Sequence, residues 1–276
     1  MKFNTKCVHG SGRPDSTGAI SPAIYMSSTF SHPKLGDTTG YQYTRESNPT
    51  RDRLEQLIAG LEEGTDALAF SSGMAAVDAV FHLFSPGDHI ILGDDLYGGS
   101  IRMFTNIYEQ NGIEFTYVGT SDLDAVKAAF KPNTKAVYIE TPTNPMMEIT
   151  DIRALCALAH ERNALVIIDN TFLSPYFQKP LTLGADIVVH SGTKFIGGHH
   201  DVISGFTIVK DDELAAKLRL TYKTVGACLS AMDSWLVIRG VKTLALRMEQ
   251  HQKNAIALAE WLKTQPKVTK VLFPGL

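Results

Sequence analysis

The sequence is poor in the features that mark secreted, membrane-spanning and nucleic-acid-binding proteins. Only 3 of its 276 residues are cysteines, and their wide separation argues against a disulfide framework and a zinc site. The net charge of −3 argues against nucleic acid and anionic membranes as partners. No apolar run approaches the roughly 18 residues of a membrane span, and residues 1–6 lack a signal-peptide core. We therefore expect a protein of the reducing cytoplasm that binds neither membranes nor nucleic acids.

Motifs for several common cofactors are also missing. No G-x-G-x-x-G follows the first predicted strand, which argues against a dinucleotide. The run Gly192-Thr193-Lys194 lacks the earlier glycine that a P-loop requires. His199 and His200 are adjacent on one predicted loop, where two imidazoles rarely converge on one ion, so we expect no metal site.

What is present is a regular alternation of short apolar runs and amphipathic helical patterns. It predicts strands at 67–70, 89–92, 113–118, 136–139, 165–168, 186–189 and 203–209, with helices between the earlier runs and at 211–222, 230–239 and 241–264. Such alternation is typical of an α/β fold with a mostly parallel sheet covered on both faces. Thr50 is a plausible cap for the first long helix.

Three regions are expected along the chain. Residues 1–48 are aperiodic and rich in Gly, Ser, Thr and Pro; residues 49–240 carry the alternating pattern; residues 241–276 begin as a helix. A last strand candidate, 268–273, lies where the sequence stops. It suggests an interrupted further domain, and an edge strand added to the main sheet is the alternative.

Two strand ends carry an informative pair of side chains. Lys194 follows the run at 186–189 within His190-Ser191-Gly192-Thr193-Lys194, and Asp169 closes the run at 165–168. Ligands of open α/β sheets bind beyond the carboxyl ends of the strands. A lysine that forms an imine, hydroxyls that hold a phosphate and a carboxylate that keeps a ring nitrogen protonated suit pyridoxal phosphate (PLP). Either residue alone would more often be a surface lysine or a helix cap.

Other strand ends support the same hypothesis. Ser72, Gly73 and Met74 follow the first strand and open a helix, where free N–H groups bind anions. Tyr97 follows the second and is able to stack on a flat ring. Glu140 ends a later strand, and Asn144 follows it between two prolines, placed to hydrogen-bond cofactor or substrate. A serine cap and a half-buried tyrosine are the ordinary alternatives, but they do not account for five such ends together.

These residues resemble the PLP-dependent enzymes of cysteine and methionine metabolism: cystathionine γ-synthase, cystathionine γ- and β-lyases, methionine γ-lyase and the O-acylhomoserine sulfhydrylases. The matching stretches cover essentially the whole chain: Tyr43-Thr44-Arg45, Asn48-Pro49-Thr50-Arg51, Phe70-Ser71-Ser72-Gly73-Met74-Ala75-Ala76, Asp95-Leu96-Tyr97-Gly98-Gly99, Glu140-Thr141-Pro142-Thr143-Asn144-Pro145, Asp169-Asn170-Thr171-Phe172 and His190-Ser191-Gly192-Thr193-Lys194. The resemblance implies the large domain of a fold type I, aspartate-aminotransferase-like PLP enzyme, with the C-terminal small domain missing.

The resemblance also implies residue roles. Lys194, Tyr97 and Asp169 are the expected catalytic residues: the first binds the cofactor and moves the α-proton, the second stacks on the ring, and the third pairs with the ring nitrogen. The remaining expected cofactor contacts, mainly to the phosphate, come from Ser72, Gly73, Met74, Ser191, Thr193 and Asn144, with Tyr43 and Arg45 supplied by a neighbouring subunit. The expected assembly is therefore a homodimer with shared sites, within a tetramer.

The resemblance leaves the reaction open among members of the family. Synthesis and cleavage of cystathionine are the leading expectation, and methionine γ-lyase or an O-acetylhomoserine sulfhydrylase is the alternative. The family places an arginine for the substrate carboxylate in the C-terminal domain, so we expect Arg102 to be a weaker substitute and Asn144 to be a further substrate contact. A truncated, PLP-binding paralogue with little activity and a PLP-free hydrolase or metal enzyme are the competing hypotheses.

Overall fold

A computed structural model describes residues 1–10, 12 and 16–276 of the chain. A short helix, α1 (Phe3–His9), comes first, and residues 16–48 have little regular structure, with an isolated bridge between Thr29 and Tyr43. The aperiodic pattern predicted irregular structure for residues 1–48, and α1 is the exception among the described residues. This helix packs against the first long helix and the last one of the chain.

Within the described part of the chain, seven strands form one sheet. They are β1 (Asp66–Phe70), β2 (His89–Gly93), β3 (Glu114–Val118), β4 (Thr134–Glu140), β5 (Leu165–Asp169), β6 (Ile187–Ser191) and β7 (Gly205–Val209), in the spatial order β1-β7-β6-β5-β4-β2-β3. Each neighbouring pair in the run β6-β5-β4-β2-β3 is parallel, whereas β7 is antiparallel to both β6 and β1. Among the described residues, six strands therefore point one way and β7 alone points the other, which confirms the mostly parallel sheet.

The remaining α-helices connect or follow the strands. They are α2 (Pro49–Glu62), α3 (Gly73–Phe81), α4 (Gly98–Met103), α5 (Leu123–Ala129), α6 (Ile152–His160), α7 (Ser174–Phe177), α8 (Asp212–Val225), α9 (Ala231–Val241) and α10 (Leu244–Lys263). A π-helical segment, Phe104–Tyr108, extends α4, and a 3-10 turn, Pro180–Thr182, precedes β6. Of the residues that the structure describes, no helix is long and apolar enough to cross a membrane.

The sheet is buried on both faces because apolar residues occupy both sides of its central strands. On one face, side chains such as Phe70, Leu92 and Val189 pack with α3, α4 and α8. On the other, the alternate residues of the same strands pack with α2, α9 and α6. Strand residues point alternately to opposite faces, so near-continuous apolar runs are what a doubly covered sheet requires.

Two sequence-based expectations about local structure are wrong. The cap of α2 is Asn48, not Thr50: the Asn48 side chain accepts a hydrogen bond from Thr50 N at 2.9 Å, and Thr50 lies inside the first turn. Residues 268–273 form no strand, because these β-favouring residues have no neighbouring strand with which to form a ladder among the described residues.

Candidate active site

The sheet topology brings the predicted site residues to one edge. The carboxyl ends of β1, β2, β4, β5 and β6 lie there together with the start of β7. The ends of these strands and the loops that follow them carry Ser72, Tyr97, Asn144, Asp169 and Lys194. Asp169 lies at the centre, in register with Val189 on β6 and Glu140 on β4, and Ser72 follows β1 on the far side of β7.

The start of α3 forms an anion cradle. Ser72 caps this helix, and its hydroxyl accepts from Ala75 N at 3.1 Å, which leaves the N–H groups of Gly73 and Met74 without intrahelical acceptors. The backbone of Gly73 lies so close to β6 that a Cβ there would be 2.8 Å from Ser191 Cβ. The start of α3 and Ser191 thus face each other across a gap that has no room for an additional side chain.

The Ser191–Lys194 loop is held by its own backbone. Lys194 N donates to Ser191 O at 3.2 Å, and Gly198 N donates to Lys194 O at 2.8 Å. Thr193 Oγ1 donates to Ser204 O at 3.2 Å and accepts from Ser204 N at 3.1 Å, so a phosphate contact would require this hydroxyl proton to change partner. The Lys194 side chain is exposed at this edge of the sheet.

One carboxylate oxygen of Asp169, Oδ2, has the capacity to accept a further hydrogen bond. Its Oδ1 accepts from Thr171 N at 3.0 Å, whereas its Oδ2 has only a long contact, 3.5 Å, with the Tyr138 hydroxyl. Burial raises the pKa of this carboxyl group, and hydrogen bonds from Thr171 lower it. An N–H⁺ group placed at Oδ2 would therefore find an acceptor with unused capacity in a partly buried setting.

Tyr97 lies at the start of α4 with its ring exposed. The side chain is 56% exposed, and a Cβ added at Gly99 would collide with the ring. Its backbone N–H donates to Glu140 Oε2 at 3.2 Å. A flat, exposed aromatic ring anchored through its backbone is suited to cover a planar ligand.

A buried network supports the loops from behind. Glu62 Oε1 accepts from His190 Nε2 at 2.6 Å and from Asn170 Nδ2 at 2.9 Å. Gln178 Nε2 extends it by donating to Asn170 Oδ1 at 3.0 Å and to Thr141 O at 2.9 Å. The network thus joins the ends of β4, β5 and β6 to the last turn of α2.

We expect Glu62→Ala to destabilise the protein strongly. His190 and Glu62 side chains are both 0% exposed, so the variant would bury an imidazole and an amide without their acceptor. Leaving a buried donor without its acceptor costs roughly 1–3 kcal/mol for each donor. Glu63→Ala is the matched control, because Glu63 makes only a surface pair with Lys179, of a kind that contributes about 0–1 kcal/mol. Urea denaturation measures both, and equal small losses would contradict the structural role of Glu62.

Arg247 on α10 fixes the turn behind Lys194. Its Nη1 donates to Phe195 O at 2.6 Å and its Nη2 to Gly240 O at 3.0 Å. Gly198 has φ of +75°, and any Cβ there would collide with this guanidinium. Gly198 therefore allows a close approach between the lysine loop and α10.

The other four predicted residues have exposed side chains. Arg45 donates to Lys223 O and lies 5.3 Å from the centre of the Tyr43 ring, and both side chains are exposed. Arg102 and Asn144 are exposed as well, on the last turn of α4 and in the loop after β4. The single chain thus brings Ser72, Gly73, Met74, Tyr97, Asp169, Ser191, Thr193 and Lys194 to the edge of the sheet, and leaves Tyr43 and Arg45 on its surface.

Sequence reasoning missed the residues that connect these groups. Thr171 N donates to Asp169, and Thr171 Oγ1 accepts from Ser191 N at 2.8 Å, which ties β5 to β6. Thr171 stood within a recognised motif, so its position two residues after Asp169 was an available signal. Nothing in the local sequence of Glu62 indicates its pairing with His190, 128 residues away.

The arrangement defines a class of protein. A primary amine, a carboxylate with free acceptor capacity, an exposed aromatic ring and a helix start with free N–H groups are what a phosphorylated pyridine aldehyde requires. Gly73 provides the close backbone approach that a phosphate needs there. The residues present therefore fit PLP.

The comparisons with known proteins agree. Residues 4–276 match the family model described as Cys/Met metabolism PLP-dependent enzyme. The cystathionine beta-lyase of Lactococcus lactis is 50% identical over 275 residues, which are 99% of this chain and 72% of the relative. The cystathionine gamma-synthase of Haemophilus influenzae is 47% identical over 267 residues, 96% of this chain and 72% of that protein. A crystal structure of cystathionine gamma-lyase from Lactobacillus plantarum, complexed with L-serine, superposes with a TM-score of 0.98 at 50% identity, covering 100% of this chain and 72% of the other.

The chain belongs to the PLP-dependent enzymes of cysteine and methionine metabolism. The fold class and the cofactor predicted from the sequence are confirmed. The predicted enzyme class, a carbon–sulfur lyase or γ-replacement enzyme, is confirmed as well.

Proposed function

We propose that this protein makes or breaks the carbon–sulfur bond of cystathionine, either by β- or γ-cleavage or by γ-replacement on an O-acylhomoserine. The observation that carries the proposal is the grouping of Lys194, Asp169 and the Ser72–Met74 cradle at one edge of the sheet. Relatives with beta-lyase, gamma-lyase and gamma-synthase names have similar identities to the chain, so the substrate is cystathionine or a close relative of it. The three cysteines are free thiols, which suits a reducing cytoplasm.

The roles of the chain's residues follow from their chemistry. PLP, when bound, supplies an electron sink for the α-carbon of an amino acid. Lys194 Nζ would hold the cofactor through its aldehyde group, and the same amine would move protons at the α-carbon as a general base and acid. Asp169 would stabilise positive charge at the ring nitrogen. The N–H groups of Gly73 and Met74, with the hydroxyls of Ser72, Ser191 and Thr193, would hold the phosphate.

Two exposed residues are proposed to orient the substrate. Arg102 lies five residues after Tyr97 and presents a guanidinium, which suits the two oxygens of an α-carboxylate. Asn144 follows β4 and offers an amide donor at the same edge. Together they would fix the substrate with its α-hydrogen toward Lys194.

The direct test is a product assay with PLP-loaded protein. Release of cysteine with 2-oxobutanoate from cystathionine indicates γ-cleavage, and release of homocysteine with pyruvate indicates β-cleavage. Formation of cystathionine from cysteine and O-acetylhomoserine indicates γ-replacement, and release of methanethiol from methionine indicates the alternative methionine γ-lyase. Protein that binds PLP but yields none of these products would refute the proposal and leave the non-catalytic paralogue.

We also propose that Tyr43 and Arg45 complete the phosphate site of a second subunit, within a dimer that forms half of a tetramer. Arg51 is fully buried and holds the segment between them: its Nη2 donates to Thr44 O at 2.5 Å and its Nη1 to Leu229 O at 3.1 Å. With Thr44 clamped from inside, the two flanking side chains stay exposed. A guanidinium fork and a phenol on such a rigid turn suit a phosphate outside their own chain.

Mixing two inactive variants tests this shared site. Arg45→Ala and Lys194→Ala subunits should regain activity together, because one site of each hybrid dimer has both native residues. Random pairing restores about a quarter of the sites. The control pairs Lys194→Ala with Asp169→Ala, which belong to one subunit's site and should restore nothing. Different affinity tags prove that hybrids form, and hybrids without activity would contradict the proposal.

A further inference from the structure

A second carboxyl group lies beside Asp169. Glu140 ends β4, and its Cα is the register partner of Asp169 on the parallel strand β5. Neighbouring strands lie about 4.8 Å apart, and paired residues point to the same face of the sheet. The Glu140 side chain is buried, with 8% of the residue exposed, and the function proposed above gives it no task.

Among the described residues, Tyr97 alone forms a hydrogen bond with the Glu140 carboxyl group. Tyr97 N donates to Glu140 Oε2 at 3.2 Å. Tyr97 C=O accepts from Ser100 N at 2.8 Å and Ile101 N at 3.2 Å, so the residue begins α4. Glu140 therefore binds the backbone N–H at the point where the Tyr97 ring is set over Gly99.

The surroundings of the two carboxyl groups differ. Asp169 receives the Thr171 N–H and lies near the Tyr138 hydroxyl, and His190 on β6 favours its ionised form. Glu140 faces Asp169 from β5 and Asp95 from the loop before α4, both of which disfavour a charge on it. Ionising two adjacent carboxyl groups in a buried setting is energetically unfavourable, so the better-solvated group is the one that ionises.

We propose that Glu140 is a positioning residue: its carboxyl group is neutral and protonated, and in that form it holds the backbone of Tyr97. The inference rests on the proposed role of Tyr97 as the ring that covers the cofactor. A neutral acid still accepts from Tyr97 N through its carbonyl oxygen. It also leaves Asp169 as the single anion facing the ring nitrogen. An ionised Glu140 would compete with Asp169 for the positive charge at the ring nitrogen. Burial of that second negative charge would also be unfavourable.

The pKa agrees with this geometry. Burial, and then the Asp169 carboxylate, raise the pKa of Glu140 to about 8. An acid whose folded-state pKa is raised contributes stability that is complete below its unfolded pKa and is lost as the pH rises through the folded one. The apoprotein should therefore lose thermal stability between pH 6 and 9 partly because Glu140 ionises. Burial raises the pKa of Glu55 to about 7. Glu55 is present in every variant, so its contribution to the pH dependence of stability cancels when the variants are compared.

The experiment compares Glu140→Gln, Glu140→Ala and the control Glu148→Gln. An amide is neutral at every pH and can accept from Tyr97 N, whereas alanine cannot; Glu148 is exposed in the same β4–α6 connection. We measure PLP dissociation by equilibrium dialysis, and thermal unfolding of the apoproteins at pH 6 and 9. Neither readout requires turnover, so a failure to cleave cystathionine would leave this test intact.

We expect Glu140→Gln to bind PLP with an affinity within about twofold of that of wild type. Glu140→Ala should bind PLP about tenfold more weakly, as expected for the loss of one buried hydrogen bond. The wild-type unfolding temperature should fall more between pH 6 and 9 than that of Gln, and Glu148→Gln should behave as wild type in both measurements. PLP binding by Gln that is as weak as that by Ala would show that Glu140 acts as an anion and would overturn the proposal. If the unfolding temperature of Glu140→Gln fell as much between pH 6 and 9 as that of wild type, the proposal would be overturned as well. If Glu140→Ala does not fold, Glu140→Gln decides against wild type alone: PLP binding about tenfold weaker than that of wild type, or an unfolding temperature that falls as much between pH 6 and 9, would overturn the proposal.

Discussion

Lys194→Ala should abolish turnover while the protein remains folded. An imine needs a primary amine, and proton transfer at the α-carbon needs a base at the same place, a contribution of about 10²–10⁴-fold by itself. Folding should survive because the Lys194 side chain is exposed and the loop is held by backbone hydrogen bonds. Initial rates of cystathionine cleavage at saturating PLP measure the effect.

Two further variants sharpen this prediction. Lys194→Arg keeps a positive charge but has no nucleophilic amine, so it should be as inactive as the alanine variant. Lys127→Ala removes an exposed lysine from α5 and should retain full activity. Near-wild-type rates in Lys194→Ala without added amine would remove Lys194 from the mechanism.

Asp169→Asn should lower the rate much more than it lowers PLP content. A carboxylate within a few ångströms of a cation favours the cation by about 1–3 pKa units, so its loss should slow the reaction by roughly 10- to 1000-fold. The amide has almost the same shape, and its oxygen can still accept from Thr171 N, which should preserve the turn after β5. Rates and bound PLP are measured on the same sample.

The matched control is Asp186→Asn. Asp186 precedes β6 and is hydrogen-bonded to Val166 N and His160 Nε2, away from the edge that carries Lys194. This substitution weakens the contact with His160, but activity per bound PLP should stay near that of wild type. An unchanged rate in Asp169→Asn would show that Asp169 serves only the backbone of Thr171.

The parts of the site that the sequence predicts are those that depend on strand order alone. Once 165–168 and 186–189 are recognised as parallel strands, Asp169 and the Ser191–Lys194 loop must emerge at the same edge. Ser72 follows from the same argument, because the start of a helix needs a cap whether or not a ligand is present. These residues lie in local patterns with a direct physical meaning.

The rest depends on contacts between distant segments. Glu62 and His190 belong to α2 and β6, and only the finished packing of those elements brings their side chains to 2.6 Å. Arg247 reaches Phe195 O because α10 packs against the lysine loop. The antiparallel direction of β7 is likewise invisible in its apolar run, since both directions bury the same side chains.

Local competition explains the errors. Asn48 and Thr50 are both good caps, and Asn48 takes the role because Pro49 fits the first helical position while the Thr50 hydroxyl donates to Ala23 O at 2.9 Å. Residues 268–273 are β-favouring, but strand propensity reflects packing against neighbouring strands, and none lies beside them among the residues described.

The central claim is that Lys194 is the lysine that binds PLP. Borohydride treatment of the PLP-loaded protein makes a reversible link between cofactor and lysine permanent, and peptide mass spectrometry then locates it. We predict that the phosphopyridoxyl mass appears on the peptide containing Lys194, and that it is absent from the same peptide of Lys194→Arg. A label on a different lysine of the wild-type protein, or no label at all, would contradict the account.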